Sequence, residues 1–499
     1  MKNSLNILNK KNILISIFFM LYTFFSIKAI VSDSLIILFS PFFFIFLILF
    51  YNNPLKIFFI ILYGTMLAGI FVSYIPELYN IRWVFTILSL IIGVYIIFHI
   101  IFKKRKIQIQ RSNIFNVYSI FILYSIFFSI INDISFERLI ISMKNNFQFY
   151  PIILFLFFFR FDTNFITNLF KSLFTIAILQ PLIVLFQFFY IVPKIGNSVH
   201  LSGTSSLTVL DAVNGSFGTT MRGGGTGMFT IFTCVVLCGI LASYNRRFIN
   251  GIKCLCYSIY ILIPLFLNET KAAFIFFLVG STIISFDRNP IVRRKILFTI
   301  LVALYSIAMI YATLEIAASF GVDRNTNIQT TLDYNIGSQG YGKYRLNRFT
   351  SLVFWWKENK NNLEEIFIGH GLDATIELEM GLSLPGAVAQ QYPFYGTGLT
   401  TASQLLWETG IIGFTLFISI FLLSLIACVV FAKSPFLTNQ EQYLALCVAA
   451  GNAISILLFF YDSSFRNSQP ANLFCTMMVG LTIFIQARKK IAKTRVWVL

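Results

Sequence analysis

The stretch WVFTILSLIIGVYIIFHIIF, residues 83–102, contains no Asp, Glu, Lys or Arg and is followed directly by Lys103-Lys104-Arg105-Lys106. A helix of about 20 apolar residues is long enough to cross a bilayer. Apolar runs of similar length recur along nearly the whole chain. They are continuous and do not alternate with polar residues, which excludes a transmembrane β-barrel. The sequence therefore predicts an all-α polytopic membrane protein.

The composition agrees with that prediction. Of the 499 residues, 57% are hydrophobic and 12% are charged, whereas soluble domains are about 25% charged. The runs predict about fourteen transmembrane helices, with about twelve as the lower limit. The predicted spans are 12–31, 35–50, 55–74, 83–102, 114–132, 139–159, 172–192, 227–244, 252–267, 271–286, 296–318, 402–431, 442–461 and 471–487.

The formal charge of +18 does not indicate a nucleic-acid partner. The basic residues form short clusters between apolar runs, such as 103–106, 293–295 and 488–490. Clusters of this kind are typical of cytoplasmic loops. Placing them inside puts most Lys and Arg on the cytoplasmic side, and it predicts that both termini are cytoplasmic.

The loops on the predicted outer face are very unequal. Most are a few residues long, but 193–226 and 319–401 are much longer. The longer one contains a predicted amphipathic helix at about 345–360, with Leu346, Phe349, Leu352, Val353 and Trp356 at helical spacing. We interpret the chain, 1–499, as one membrane-embedded domain with a smaller and a larger external loop.

Charged side chains are scarce within the predicted spans, where Lys144 is the clear mid-span case. A proton- or sodium-coupled carrier generally has a chain of such groups across the membrane. Basic residues gather instead in and beside the external loops, which indicates binding or chemistry at that face. Arg residues suit an anionic phosphate group; for Lys357 and Lys360 an ion-paired, solvated helix face is the alternative.

Four stretches carry a family resemblance. They are Arg222-Gly223-Gly224-Gly225, Asn268-Glu269-Thr270-Lys271, Ile368-Gly369-His370-Gly371-Leu372 and Gln404-Leu405-Leu406-Trp407-Glu408-Thr409-Gly410-Ile411-Ile412-Gly413. Arg348 and an aromatic-rich segment precede the third. In this order around one long external loop, they resemble the O-antigen ligase and polymerase superfamily (the WaaL and Wzy proteins). The resemblance covers roughly 215–480.

The resemblance implies a metal-independent glycosyltransferase without a cofactor, in the bacterial inner membrane. Its substrate would be an oligosaccharide repeat unit on undecaprenyl pyrophosphate, reached among membrane lipids at the external face. A chain-length regulator is a further implied partner. Arg222, Lys271 and Arg348 match the basic positions of the family, and location adds Arg345 and Arg466 as residues for binding pyrophosphate or glycan.

Departures from the family pattern bear on which branch is closer. Ligases commonly carry His-Asn where Leu399 and Thr400 stand here, and Lys271 replaces the usual Arg. These departures favour a Wzy-type polymerase that makes O-antigen, capsule or exopolysaccharide. A ligase that transfers finished glycan to lipid A-core or protein remains an alternative. A flippase or exporter of lipid-linked oligosaccharide is a second one.

His370 and Glu408 are the candidate catalytic residues, because a base is needed to take the proton of the acceptor hydroxyl. Each has a structural alternative. His370, between two glycines, is the kind of turn histidine that bonds to backbone, and Glu408 is placed to cap or anchor a span. Asp373 is a weaker candidate base. Arg466 is also predicted to form an ion pair with Asp462.

Overall fold

The computed structural model describes most of the chain from residue 54 onward. The described residues are 54–74, 81–102, 112–159, 161, 163–193, 213–218, 225–268, 272–287, 304, 305, 307, 337, 340, 344–377 and 384–496. Their contacts divide the chain into two units, 1–60 and 61–499. Of the first unit only 54–60 are described. The second unit contains the remaining helices and the candidate site.

The described part of the chain is helical and contains no strand. Seven of its helices are long and apolar enough to cross a membrane, and one bent helix pair brings the number to eight. The prediction of a helical membrane protein is confirmed at this level. The helices that coincide with predicted spans are α1 (Pro54–Tyr74), α2 (Ile81–Phe102), α3 (Asn113–Ile131), α4 (Phe136–Phe147), α5 (Tyr150–Phe158), α6 (Thr163–Phe186), α7 (Gly225–Asn245), α8 (Gly251–Leu267), α9 (Ala273–Ser285), α13 (Thr401–Ala432), α14 (Asn439–Tyr461) and α16 (Gln469–Val496).

The predicted total of fourteen spans stays a prediction. The predicted spans 12–31 and 35–50 lie outside the described residues, and so does 296–318 apart from Leu304, Tyr305 and Ile307. Each of the other predicted spans coincides with a described helix or, for 139–159, with a pair of helices.

Four short helices lie between or beyond these long ones. They are α10 (Arg348–Asn359), α11 (Leu363–Phe367), α12 (Ala387–Gln391) and α15 (Ser464–Asn467). They lie at the end of the bundle where α14 stops at Tyr461, which we call the loop end. The end where α13 stops at Ala432 is the opposite end. Helix α14 has 23 residues and packs beside α13. At ~1.5 Å per residue, its length separates these two ends by about 33 Å.

The helix predicted at about 345–360 is confirmed as α10. Its N-terminus is fixed by a capping box, in which the Asn347 side chain accepts from the backbone N–H of Thr350 at 2.8 Å and Thr350 Oγ1 accepts from the backbone N–H of Asn347 at 2.7 Å. Its buried face consists of Ser351, Trp355 and Asn359. The helix therefore packs through Trp355 and leaves most of the predicted apolar stripe outside.

The predicted span 139–159 is not one continuous helix. It consists of α4 and α5, which meet at an angle of 50°. Asn472 of α16 explains how the break is tolerated, because its side-chain amide donates to the backbone carbonyls of Asn145 and Asn146 at 3.2 and 3.1 Å. Carbonyls freed by a helix break inside a protein need such partners.

Aromatic packing holds the loop end of the long helices together. Phe417 of α13 lies between Phe459 of α14 and Phe465 of α15, with ring centroids 4.9 and 5.0 Å apart. These side chains are at most 3% exposed. Aromatic pairs at these separations add roughly 0.5–1.5 kcal/mol each beyond area burial, so α15 is fixed firmly against the two spans.

Part of the loop predicted at 193–226 is buried inside the bundle. Residues 213–218 pass between the helices, and Gly215–Phe217 form a single 3₁₀ turn. Gln187 satisfies the backbone here: its Oε1 accepts from the N–H groups of Asn214 and Gly215 at 3.1 and 2.7 Å. Gln180 accepts from the N–H of Ser216 at 2.9 Å. Irregular backbone at membrane depth requires this kind of compensation.

Candidate functional site

The site begins with a break in α13 at Gly410. This residue has φ +62° and ψ −170°, so the helix consists of a first segment, 401–409, and a second, 411–432. The break frees two carbonyl groups of the first segment. The backbone N–H of His370 donates to the Trp407 carbonyl and that of Gly371 to the Glu408 carbonyl, each at 2.8 Å. Two of the quoted stretches, distant in sequence, therefore meet here.

Glycine is required on both sides of this contact. Gly369 and Gly371 have φ of +75° and +83°, a region that L residues rarely adopt. A Cβ on Gly369 would lie 2.6 Å from the Gly410 nitrogen, and a Cβ on Gly410 would lie 2.4 Å from the Phe367 carbonyl. The Gly-His-Gly turn and the helix break thus fit only as a pair.

His370 presents a half-buried ring at this contact. Its Nε2 lies 3.3 Å from Asn359 Oδ1, and its ring centroid lies 5.6 Å from that of Trp407. Burial lowers the pKa of His370 below its ordinary value, although the negative charge of Glu365 opposes the shift. The backbone of His370 is bonded to the Trp407 carbonyl, as expected for a histidine with a structural role in a turn. Its neutral ring is also suited to accept a proton.

Glu408 and Arg466 form a buried ion pair behind the break. Arg466, on α15, donates through NH1 to Glu408 Oε1 at 2.9 Å, and its NH2 pairs with Asp373 Oδ1. The side chains are at most 1% exposed. The prediction that Arg466 pairs with Asp462 is therefore wrong. The Asp462 carboxylate instead accepts from the Ser464 hydroxyl.

Neighbouring hydroxyl groups complete this cluster. Thr375 donates to Glu408 Oε1 and Ser142 donates to Asp373 Oδ1, both at 2.8 Å. Asp373 has φ +74°, which is uncommon for a non-glycine residue and is held here by its buried partners. Both carboxylates are buried and already paired with Arg466. Glu408 and Asp373 are therefore better suited to hold neighbouring groups in position than to take up a proton.

Arg348 and Arg345 lie at the start of α10. The guanidinium of Arg348 lies 4.3 Å from the ring centroid of Tyr461, and its Nε donates to the Tyr461 carbonyl at 2.6 Å. Burial raises the pKa of Asp462, while the nearby charge of Arg348 lowers it. Arg345 is exposed and donates to the Tyr395 hydroxyl at 3.0 Å. Arg348 is thus fixed at the loop end, and Arg345 faces solvent.

Arg222 and Lys271 lie outside the described residues. Described residues near them in sequence share one partner, Asn214. Its Oδ1 accepts from Asn268 Nδ2 at 3.3 Å and from Thr226 Oγ1 at 2.8 Å. The role of Arg222 and Lys271 in binding pyrophosphate or glycan stays a prediction.

Helix α4 contributes residues to the site that sequence analysis missed. Ser142 bonds Asp373, and Arg138 donates to the Pro385 carbonyl at 2.9 Å. Lys144 does not lie in the middle of a continuous span, because it is in the last turn of α4, which ends at Phe147. Its Nζ is 4.7 Å from the ring centroid of Trp83, near the start of α2. The available signal was Ser135, which caps α4 through the Arg138 N–H at 3.4 Å and marks a new helix start.

The described residues contain no group of three His, Cys, Asp or Glu arranged to hold a metal ion. They join the His370 turn to the buried ion-pair cluster through the bond from Gly371 to Glu408, whereas Arg348 lies at the opposite end of α10 from Asn359, the residue that His370 contacts. A neutral imidazole is suited to accepting a proton, and an Arg guanidinium is suited to binding an anionic group. Comparison of the chain with models of known protein families and with curated protein sequences finds no match.

Proposed function

We propose that this protein is a Wzy-type glycan polymerase, which joins undecaprenyl-pyrophosphate-linked oligosaccharide repeat units at the external face of the bacterial inner membrane. The observation that carries the proposal is the docking of Gly369-His370-Gly371 on the break at Gly410. Both stretches are among the four that carry the family resemblance. Arg348, the matching basic residue, lies at the same end of the bundle.

In the proposed reaction, an acceptor hydroxyl oxygen on a new repeat unit attacks the anomeric carbon of the growing glycan. The bond from that carbon to the pyrophosphate oxygen breaks, with inversion, and the negative charge goes to the lipid pyrophosphate. Neutral His370 takes the hydroxyl proton. Arg348 stabilises the developing charge, together with Arg222, Lys271 and Arg345 as further candidate binding residues. Arg466 and Glu408 act as positioning residues for the Gly410 break.

The polymerase branch is supported over the ligase branch by Thr400. This residue stands where ligases carry the second residue of His-Asn, and here it is the N-cap of α13. Its Oγ1 accepts from the Ser403 N–H at 3.0 Å, and Ser403 Oγ accepts from the Thr400 N–H at 3.2 Å. Thr400 therefore has a complete structural role as a capping box.

The test is glycan length on a gel, from a deletion strain and from strains complemented with variants. A deletion strain that caps single repeats on its acceptor lipid would support polymerisation. Long chains retained on undecaprenyl pyrophosphate would indicate a ligase, and accumulation of repeats on the inner leaflet would indicate a flippase. Either result would overturn the proposal.

Site variants sharpen the same test. We expect Arg348→Ala and Arg222→Ala to abolish long chains at normal protein level, because the leaving-group charge loses its donors. Lys253→Ala, an exposed Lys at the start of α8, is the matched control and should give wild-type chains. Wild-type chain lengths in both Arg variants would contradict the site assignment.

A further inference from the structure

Helix α10 carries an apolar stripe that the described protein does not cover. Phe349, Val353 and Trp356 follow one another at helical spacing and are 50%, 50% and 53% exposed. Helix α10 is not in the hydrophobic spans, where exposed apolar residues face lipid as a matter of course. A stripe of this kind on a polar helix needs an explanation.

The position of α10 along the bundle sets its depth. The second segment of α13, 411–432, has 22 residues and spans about 33 Å, enough to cross the hydrocarbon core alone. The first segment, 401–409, is therefore not needed to cross that core. Its start is also level with the end of α14, because Thr401 Oγ1 donates to the Asp462 carbonyl at 2.9 Å.

Helix α10 is attached to these same two elements. Its inward Trp355 packs in one cluster with Leu406 and Trp407 of the first segment of α13. Its first residue, Arg348, bonds the Tyr461 carbonyl at the end of α14. The helix thus lies at the end of two spans, and spans of this length end close to the lipid headgroups.

The residues beside the stripe fit that depth. Trp is enriched at membrane interfaces, and the exposed Lys357 and Lys360 are able to extend their amines towards headgroups. Phe394 adds a further apolar side chain, which is 60% exposed. It lies beside the start of α10, because its backbone carbonyl accepts from the Arg345 N–H at 3.0 Å. Its φ of +61° is rare for a bulky residue.

We propose that Phe349, Val353 and Trp356 insert into the phospholipid leaflet at the loop end, so that α10 is an interfacial helix. The apolar face then lies roughly 5–10 Å into the boundary between headgroups and acyl chains. The leaflet covers the stripe, and the Trp355 face remains packed on α13. This inference concerns lipid contact and does not depend on the proposed reaction.

The experiment uses spin labels on the full chain in nanodiscs of phosphatidylethanolamine and phosphatidylglycerol. The label is attached at Val353→Cys or, as matched control on the opposite side of α10, at Glu358→Cys. Cys256, an exposed cysteine of the described residues, is replaced by Ser. Collision rates with oxygen, which partitions into lipid, and with a water-soluble nickel chelate are then compared.

We expect the oxygen-to-nickel ratio at Val353→Cys to exceed that at Glu358→Cys roughly threefold or more. Equal ratios would place the stripe in water, and a label shielded from both reagents would place it against protein. Either outcome overturns the proposal. A second readout needs no label. Brominated phospholipids should quench the tryptophan fluorescence of the native protein by a larger fraction than that of Trp356→Phe, and equal fractions would contradict insertion.

Discussion

Arg466 is the residue on which the buried part of the site depends. Its guanidinium is 1% exposed and balances two carboxylates contributed by α13 and by the turn at Asp373. A buried charge is tolerated only when its partners are present. The pairing therefore couples α15, α13 and the Asp373 turn, although these elements are far apart in sequence.

Removing Arg466 should be strongly destabilising. Arg466→Leu leaves Asp373 and Glu408 buried without a counter-charge, which costs about 3–5 kcal/mol. A lower melting temperature of the detergent-purified protein would report it. Arg345→Leu, on an exposed Arg, is the control and should melt near wild type. The triple variant with Asp373→Asn and Glu408→Gln should recover part of the loss; if it is no better than Arg466→Leu, the pairing is not the cause.

The His370 ring predicts a pH dependence with a definite sign. Burial keeps its pKa below the ordinary 6.5, so the unfolded chain binds the proton more readily than the folded one. Stability is therefore lost as pH falls from 6.5 through the lowered pKa. Melting temperature in a pH series should show this decline in the wild type and a weaker one in His370→Asn. Parallel curves for the two proteins would count against a buried neutral ring.

The sequence predicts residue types for the candidate site, but it does not predict which side chains pair with one another. His370, Glu408 and Arg466 follow from charge and glycine content near an apolar run. The bond from Ser142 to Asp373 joins residues 231 positions apart, and no local pattern encodes such a pair. For the same reason, proximity in sequence favours Asp462 as the partner of Arg466, whereas the structure pairs it with Asp373 and Glu408.

At the scale of elements, a single added Cβ atom on Gly410 would disrupt the break in α13. Gly410→Ala should cost about 1–3 kcal/mol for its backbone conformation alone, because φ +62° with ψ −170° is adopted almost only by glycine. The new Cβ would also lie 2.4 Å from Phe367 backbone atoms. We expect a lower melting temperature and loss of the turn contact. Gly239→Ala in α7 is the control, because the nearest atom to its Cβ would be the Tyr443 hydroxyl oxygen at 3.4 Å. It should melt at or above wild type, since Ala favours helix; equal melting of both variants would contradict the argument.

The long helices were predictable, but their breaks and faces were not. Apolar length alone located α2, α3 and α14 within a few residues. The bend between α4 and α5 depends on Asn472, more than 300 positions away, and hydropathy does not report such a partner. Likewise the spacing of Phe349, Val353 and Trp356 indicated a helix, whereas the packing of Trp355 decided which face was buried.

At the scale of the whole molecule, the charge pattern predicts one orientation. Fusions after Arg247 and Lys433 should make green fluorescent protein fluoresce, because these sites are predicted to be cytoplasmic. Fusions after Lys360 and Asn467 should make alkaline phosphatase active, because that enzyme requires the external side. The reverse pattern would invert the topology and contradict an external site. Fusions that keep the chain full length, inserted in loops, serve as controls for misfolding.

The buried segment 213–218 has a consequence for biogenesis. It follows α6 in the chain, yet its bonds reach forward to Asn268 at the end of α8 and back to the Met66 carbonyl in α1. Helices insert first and pack afterwards, so this segment leaves the insertion machinery without its final partners. Its bond from Asn268 can form only once α8 has been synthesised. A ribosome that stalls before residue 268 therefore holds a nascent chain in which the Val213 carbonyl still lacks its Asn268 donor.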